Sequence, residues 1–188
     1  MNADEAAAAV EELARLVGWT GPAPDPVDQA LLEAACGYGF PPDLMAFFHR
    51  FPPGRIGIVD VLHPLGFYLE HPAWTTAYPG YVAHVVMFEQ ALNRGAEEVD
   101  LPYRFGTGPG ELLLWGLVEG DQALCWLVTA DAPHTWQVVV CETGHGSPMS
   151  CQHYSGGAVR LLIDLGSGAK PVPMLEYVSE VYPYAFYS

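Results

Sequence analysis

Basic side chains are scarce in this sequence. The 188 residues include 7 Lys and Arg side chains against 22 Asp and Glu, which gives a formal net charge of −15. This balance argues against nucleic acids and anionic membranes as partners, because the protein would be repelled by both. It favours a basic partner, and it equally favours the simpler interpretation that the charge keeps an apolar-rich chain in solution.

Long hydrophobic runs are lacking as well. No apolar run approaches the roughly 18 residues that a membrane-spanning helix needs. The segment Met1 to Glu5 has no basic region of the kind that opens a signal peptide. We therefore expect a cytoplasmic protein whose four cysteines remain thiols; they are Cys36, Cys125, Cys141 and Cys151.

The first third of the chain is patterned as helices. Apolar spacing predicts a helix over residues 3–17 and a second one that begins at Pro26, with Asp25 as its cap. In the second helix, Val27, Leu31, Ala34 and Ala35 are expected to share the buried face. Further helices are predicted to start at Pro41–Pro42 and after Gly156–Gly157, and another is predicted to cover residues 81–94.

Strand patterns dominate the middle of the chain. Arg55 to Leu62 alternates as a single strand would, strands at 112–118, 123–129 and 136–141 are joined by short turns, and a fourth short strand is expected at 151–154. Such a series indicates an antiparallel meander. The fold class is therefore α+β, with N-terminal helices, a mostly antiparallel sheet and a C-terminal helix in one domain over residues 1–188.

Aromatic residues are placed in two regions. Trp115, Trp126 and Trp136 lie in predicted strands beside aliphatic residues, and we expect them to fill the core. The segment from Pro171 to Ser188 is rich in Tyr and Pro. It has two interpretations, packing onto the core or hanging loose.

Few residues are arranged for chemistry. Cys141, His145, Cys151 and His153 lie within thirteen positions and could ligate zinc, but their spacing matches no familiar zinc site. Cys125 is expected to be buried and inert, and no cysteine has the sequence context of a nucleophile. The glycines of residues 106–110 suggest a phosphate loop, yet the loop lacks the lysine and contains Pro109. We therefore predict no catalytic residue, no metal and no cofactor.

Several motifs together resemble the SUKH superfamily, which includes yeast cell-wall-synthesis regulators and bacterial immunity proteins. They are Leu113-Leu-Trp-Gly116, Glu119-Gly-Asp121, Cys125-Trp-Leu127, Trp136-Gln-Val-Val-Val140, the helix after Tyr154, and Gly37-Tyr-Gly-Phe-Pro-Pro-Asp-Leu-Met-Ala-Phe-Phe48. The resemblance covers about residues 27–62 and 105–168. It departs from the family pattern at Pro52-Pro53-Gly54 and at Gln137.

The resemblance implies a non-enzymatic immunity protein, or antitoxin, that binds and neutralises a cognate protein toxin. A regulatory or scaffold domain that binds a cellular enzyme is the alternative. An acidic protein is suited to cover the basic cleft of a nuclease-type toxin. From their positions in loops and turns, the acidic residues expected to contact such a partner are Asp60, Glu70, Glu97, Glu98, Asp100, Glu119 and Asp121.

Overall fold

The computed structural model describes residues 1–65, 77–98, 101–119, 122–143, 150–169, 172–178 and 184–187. Its helices are α1 (Ala3–Leu16), α2 (Gln29–Cys36), α3 (Pro42–Arg50), α4 (Ala77–Glu98) and α5 (Ala158–Gly166). Its strands are β1 (Arg55–Ile56), β2 (Val59–Val61), β3 (Leu112–Val118), β4 (Gln122–Leu127), β5 (Gln137–Glu142), β6 (Cys151–Tyr154) and β7 (Phe186–Tyr187). These elements confirm the α+β class with its early helices, antiparallel sheet and later helix.

Local side-chain hydrogen bonds determine where the first two helices begin. Asn2 and Glu5 form a capping box at the start of α1, with each side chain bonding the other residue's amide. Helix α2 begins at Gln29, because Asp28 accepts the amide hydrogen of Leu31 at 3.0 Å. The predicted start at Pro26 with an Asp25 cap was therefore wrong by three residues.

The same correction changes which apolar residues α2 buries. Leu32 is completely buried, whereas Leu31 is 59% exposed. Ala34 and Ala35 are exposed as well. Of the four residues predicted to share the buried face, the structure buries Val27, which precedes the helix.

The seven strands form one antiparallel sheet in the order β6-β5-β4-β3-β2-β1-β7. The predicted meander of three strands is confirmed as β3 to β5, and the fourth predicted strand extends it as β6. Residues Arg55 to Leu62 are not one strand but a hairpin, because Gly57 takes a φ of 58° and turns the chain between β1 and β2.

The core surrounds the central strands. Every residue of β3 is buried, which means that both faces of the sheet are covered there. Helix α4 packs on β3 and α2 packs on α4, whereas α1, α3 and α5 pack on one another. Trp115 and Trp126 are fully buried as predicted, while Trp136 is half-buried and donates its Nε1 hydrogen to the carbonyl of Asp131.

The described part of the tail packs onto the domain. Phe186 pairs with Ile56 in the sheet, and its ring lies 4.7 Å from that of Trp19 and 5.2 Å from that of Phe51. The Tyr184 hydroxyl donates to the carbonyl of Leu162. Of the two interpretations of the tail, residues 184–187 therefore support packing on the core.

Candidate partner-binding surface

Three glutamates belong to chain segments that adjoin at one end of the sheet. Val118 is the partner of Gln122 across β3 and β4, and Gln122 is the partner of Glu142 across β4 and β5. Glu119 directly follows Val118. The tail joins them there, because the Tyr177 hydroxyl donates to Oε1 of Gln122 and Glu176 precedes Tyr177. We call Glu119, Glu142 and Glu176 the acidic end of the sheet.

Backbone hydrogen bonds fix the main chain at two residues of the acidic end, Glu119 and Glu142. Glu119 is exposed and has a φ of 45°, and its amide donates to the carbonyl of Ile58 at 3.3 Å. Glu142 is half-exposed, and its amide donates to the carbonyl of Ser150 at 2.9 Å. Within the described residues, neither Glu119 nor Glu142 forms an ion pair with Lys, Arg or His. Among the described residues, no cation therefore neutralises either carboxylate.

Several other acidic side chains already have structural partners. On α1, the carboxylate of Glu11 pairs with Arg50 at 3.0 Å and that of Glu12 lies 3.8 Å from Arg160. The Asp164 carboxylate accepts from the Tyr154 hydroxyl and pairs with Arg160 at 2.8 Å. These carboxylates are partly neutralised within the chain, whereas Glu119 and Glu142 have no ion pair in the part that the structure describes.

Asp60 and Glu97, two residues predicted to contact a partner, have structural partners of their own. Asp60 is buried in β2, where the guanidinium of Arg55 donates to both of its carboxylate oxygens at 3.0 and 2.8 Å. This bidentate ion pair neutralises the Asp60 carboxylate. Asp60 therefore does not occupy the exposed position that the prediction assumed. Glu97 is exposed near the end of α4, 3.8 Å from Arg104.

Of the other predicted contact residues, the structure brings Glu119 into the acidic end and makes Glu98 the last residue of α4. Glu70, Asp100 and Asp121 lie outside the described residues.

Sequence reasoning missed Glu142 and Glu176. Glu142 directly follows the predicted strand 136–141 and is the last residue of β5, and the end of a strand is where a side chain leaves the core. The end of the predicted strand was therefore a sequence signal that could have identified Glu142 as an exposed carboxylate. Glu176 follows a short 3-10 helix, Pro173–Leu175, whose position against the sheet depends on tertiary contacts. No local pattern predicts its position.

Cys141 and Cys151 form a disulfide and not a pair of thiols. They face each other as partners across β5 and β6, and their sulfur atoms are bonded. The predicted thiol state of these two residues was therefore wrong, whereas Cys36 and Cys125 are free. Cys125 is fully buried as predicted, and burial raises the pKa of its thiol.

The disulfide also removes two ligands from the zinc alternative. Sulfur atoms bonded to each other are not thiolates and cannot bind the metal as such. His153 Nε2 lies 3.0 Å from the hydroxyl of Tyr103, and His145 lies outside the described residues. In the part of the chain that the structure describes, no group of three or more His, Cys, Asp or Glu is arranged to hold a metal ion.

An internal carboxylate occupies the glycine-rich loop at 106–110. The amide of Gly108 donates to Oε2 of Glu111 at 2.7 Å. A phosphate at this position would meet the negative charge of Glu111. The loop therefore does not suit a phosphate and leads into β3.

The described structure also contains a cavity of about 240 Å³, lined in part by Asp43, Trp126, His134 and Trp136. Its buried carboxylate, Asp43, accepts the amide hydrogen of Val159 at 3.1 Å. That hydrogen bond caps α5 and commits Asp43 to a structural role.

A second buried carboxylate lies on α4. Glu89 is 7% exposed, and its Oε1 has no hydrogen-bond partner within the described residues. Burial raises the pKa of Glu89 from its ordinary value of 4.5 to about 7, an effect that the amide of Leu114 partly opposes. A carboxyl group of this kind suits proton transfer, but one so deeply buried is closed to a substrate in this structure.

No family model, no curated protein and no solved structure matches this chain. None of the helices in the described ranges combines the length and the apolar character that crossing a membrane requires.

Proposed function

We propose that this protein is a non-enzymatic immunity protein that binds a basic protein toxin through the acidic end of the sheet. The observation that carries the proposal is the convergence of Glu119, Glu142 and Glu176 on adjoining strands and the tail. The resemblance of the strand motifs to the SUKH superfamily supports the same function. The activity of the toxin would be blocked by occlusion of its basic, substrate-binding cleft.

Charge supports the choice of partner. The chain has a net charge of −15, so a basic partner is attracted from a distance and oriented before contact. Because the carboxylates of Glu119 and Glu142 are not neutralised by cations of the described chain, a partner's Lys and Arg side chains meet them without displacing an internal ion pair. The association should be fast and should weaken as salt is added.

The test is a comparison of two variants that change net charge equally. One is Glu119→Lys, Glu142→Lys, Glu176→Lys; the control is Asp4→Lys, Asp25→Lys, Asp131→Lys, which replaces exposed carboxylates elsewhere. Each tagged protein is used to capture partners from a lysate of the source organism at low salt, and the bound proteins are identified by mass spectrometry. Affinity for the captured protein is then measured by calorimetry.

We expect the wild type and the control to retain one stoichiometric, Lys- and Arg-rich partner, and the acidic-end variant to lose at least about tenfold in affinity. Co-expression of the wild type with that partner should restore growth to cells that the partner alone kills. Equal affinity of the two variants would disprove the role of the acidic end. A retained partner without toxicity would favour the regulatory alternative.

A further inference from the structure

Helix α4 buries two polar groups that have no hydrogen-bond partner within the described residues. One is Oε1 of Glu89, which is 7% exposed, and the other is the hydroxyl of Tyr81, which is 6% exposed. The two residues lie about two turns apart on the inward side of the helix, with the buried Val85 between them. Each group loses its hydrogen bonds to water when α4 packs, so the packing of this helix is opposed by its own polar side chains.

No cation offsets the charge that Glu89 acquires on ionisation. Among the described residues, Glu89 forms no ion pair, and the nearby carboxylate of Glu111 has the same sign and opposes ionisation. The other titratable groups of this cluster come from α2 and the residues after it, from α4 and from β4; they are Cys36, Tyr38, Tyr81 and Cys125. Burial raises the pKa of each of these thiols and phenols, so they stay neutral while Glu89 titrates.

The two ends of α4 are held differently. Near the C-terminal end, the Asn93 side chain donates to the carbonyl of Phe105 at 2.8 Å and accepts the amide hydrogen of the same residue at 2.7 Å. Tyr81 lies in the N-terminal half, where its ring packs against that of Phe40 with 6.2 Å between the centroids. The paired polar side chain therefore lies close to the C-terminal end, whereas the two unpaired groups precede it. Asn93 is the point about which an opening of α4 would pivot.

The thiol of Cys125 lies beneath α4. Cys125 is the partner of Leu114 across β3 and β4, and Glu89 is close to both of them. Helix α4 packs on β3 and on α2, whereas α1, α3 and α5 pack on one another. Separation of α4 from the sheet would therefore uncover Cys125 and leave the packing of those three helices in place.

We propose that α4 is a pH-gated cover of the sheet, which opens about Asn93 when Glu89 ionises. Ionisation places a full charge in a buried site beside Glu111, and an outward turn of α4 returns that charge to water. In the closed form the pKa of Glu89 is raised from 4.5 to about 7, so the closed form is favoured fully below pH 4.5 and loses this advantage as pH rises through 7. The acidic end takes no part in this motion, so the inference does not depend on the proposed partner.

The experiment measures the opening through alkylation of Cys125 by iodoacetamide in the full chain with its disulfide intact, from pH 5.5 to 8. Mass spectrometry assigns the label to Cys125. Glu89→Gln stays neutral at every pH and is the reference, because the effect of pH on the thiol itself is the same in both proteins. We expect the ratio of the two labelling rates, wild type over Glu89→Gln, to increase at least about tenfold over this range. Glu97→Gln, at an exposed position of α4, should behave as the wild type does.

Dilute urea separates an opening of α4 from unfolding of the whole domain, and this measurement needs no variant. A local opening exposes little surface, so the labelling rate of Cys125 should hardly change with urea. Amide hydrogen exchange of α5, which requires the domain to unfold, should be slower and should speed up with urea. A ratio of labelling rates that is flat with pH would overturn the proposal. So would labelling of Cys125 that follows the exchange of α5 in its urea dependence, because the domain would then unfold as one unit.

Discussion

Asp43 accepts a hydrogen bond from the amide of Val159, which lies 116 positions further along the chain. The residue belongs to the first turn of α3, yet its carboxylate caps α5. Gly157 makes the approach possible, because a Cβ atom at that position would collide with the Asp43 carboxylate. A single buried side chain thus fixes the N-terminus of one helix to that of another.

Loss of this cap should destabilise the whole domain. We expect Asp43→Ala to lower the free energy of unfolding by about 2 kcal/mol, because the amide of Val159 would be left buried without an acceptor. Asp43→Asn keeps an acceptor oxygen and should lose less. Urea unfolding measures the difference, with the exposed Asp25→Ala as control. If Asp43→Ala and Asp25→Ala unfold at the same urea concentration, the cap does not stabilise the fold.

Glu89 should make stability decrease as pH rises. Its folded pKa of about 7 lies above its ordinary value of 4.5, so folding favours the neutral carboxyl. The contribution is fully present below pH 4.5 and is lost as pH rises through 7. After allowance for partial screening by solvent, we expect a loss of about 2 kcal/mol between those limits. Neighbouring titratable groups are Tyr38, Tyr81, Glu111 and Cys125.

The measurement is the difference in unfolding free energy between the wild type and Glu89→Gln, followed from pH 5 to 8. The free energy of unfolding of Glu89→Gln should increase relative to that of the wild type as pH rises. His63, whose pKa burial lowers to about 4, acts in the opposite direction and loses stability as pH falls from 6.5 towards 4. Its contribution cancels in the difference. Glu97→Gln, at an exposed position of the same helix, should give a flat difference, and a flat difference for Glu89→Gln would contradict the assignment.

The disulfide should make stability sensitive to reductant. Cys141 and Cys151 are ten positions apart, and closure of a loop of this size is expected to contribute about 3 kcal/mol. We expect dithiothreitol to lower the melting temperature of the wild type but not that of Cys141→Ser, Cys151→Ser. Cys36→Ser retains the disulfide and should respond as the wild type does. A wild-type melting temperature that is indifferent to reductant would show that the bond contributes nothing.

The tail should contribute to stability through Phe186. This side chain packs on the rings of Trp19 and Phe51, so Phe186→Ala should cost about 2 kcal/mol. The neighbouring Tyr187 is 40% exposed, and Tyr187→Ala should cost much less. Thermal unfolding followed by tryptophan fluorescence compares the two. Equal losses would mean that the packing of Phe186 on the two rings is not what holds the tail.

Most of the α+β architecture could be predicted because its signals are local. The capping residues of α1, Pro42 at the start of α3 and the short connections between β3 and β6 all act within a few positions. The error at the start of α2 arose where two local signals competed. Asp25-Pro26 and Asp28 both suit the start of α2, and the sequence alone does not show which one tertiary packing selects.

Long-range features were beyond sequence reasoning. A strand of two residues, such as β7, is too short to show periodicity. The partners of Asp60 and Asp43 depend on which elements become neighbours. For the acidic end, Glu119 was predictable from its place after a strand, whereas Glu176 required the docking of the tail through Tyr177 and Gln122.

The pairing of β7 with β1 has a consequence for synthesis on the ribosome. Arg55 pairs with Tyr187, and 132 positions separate them. At the usual rate of translation, about 7 to 26 s pass between the synthesis of the two residues. During that interval the nascent domain has an incomplete sheet, and the edge of β1 is open to other chains. Until β7 emerges, the backbone groups at that edge of β1 can pair with another chain instead.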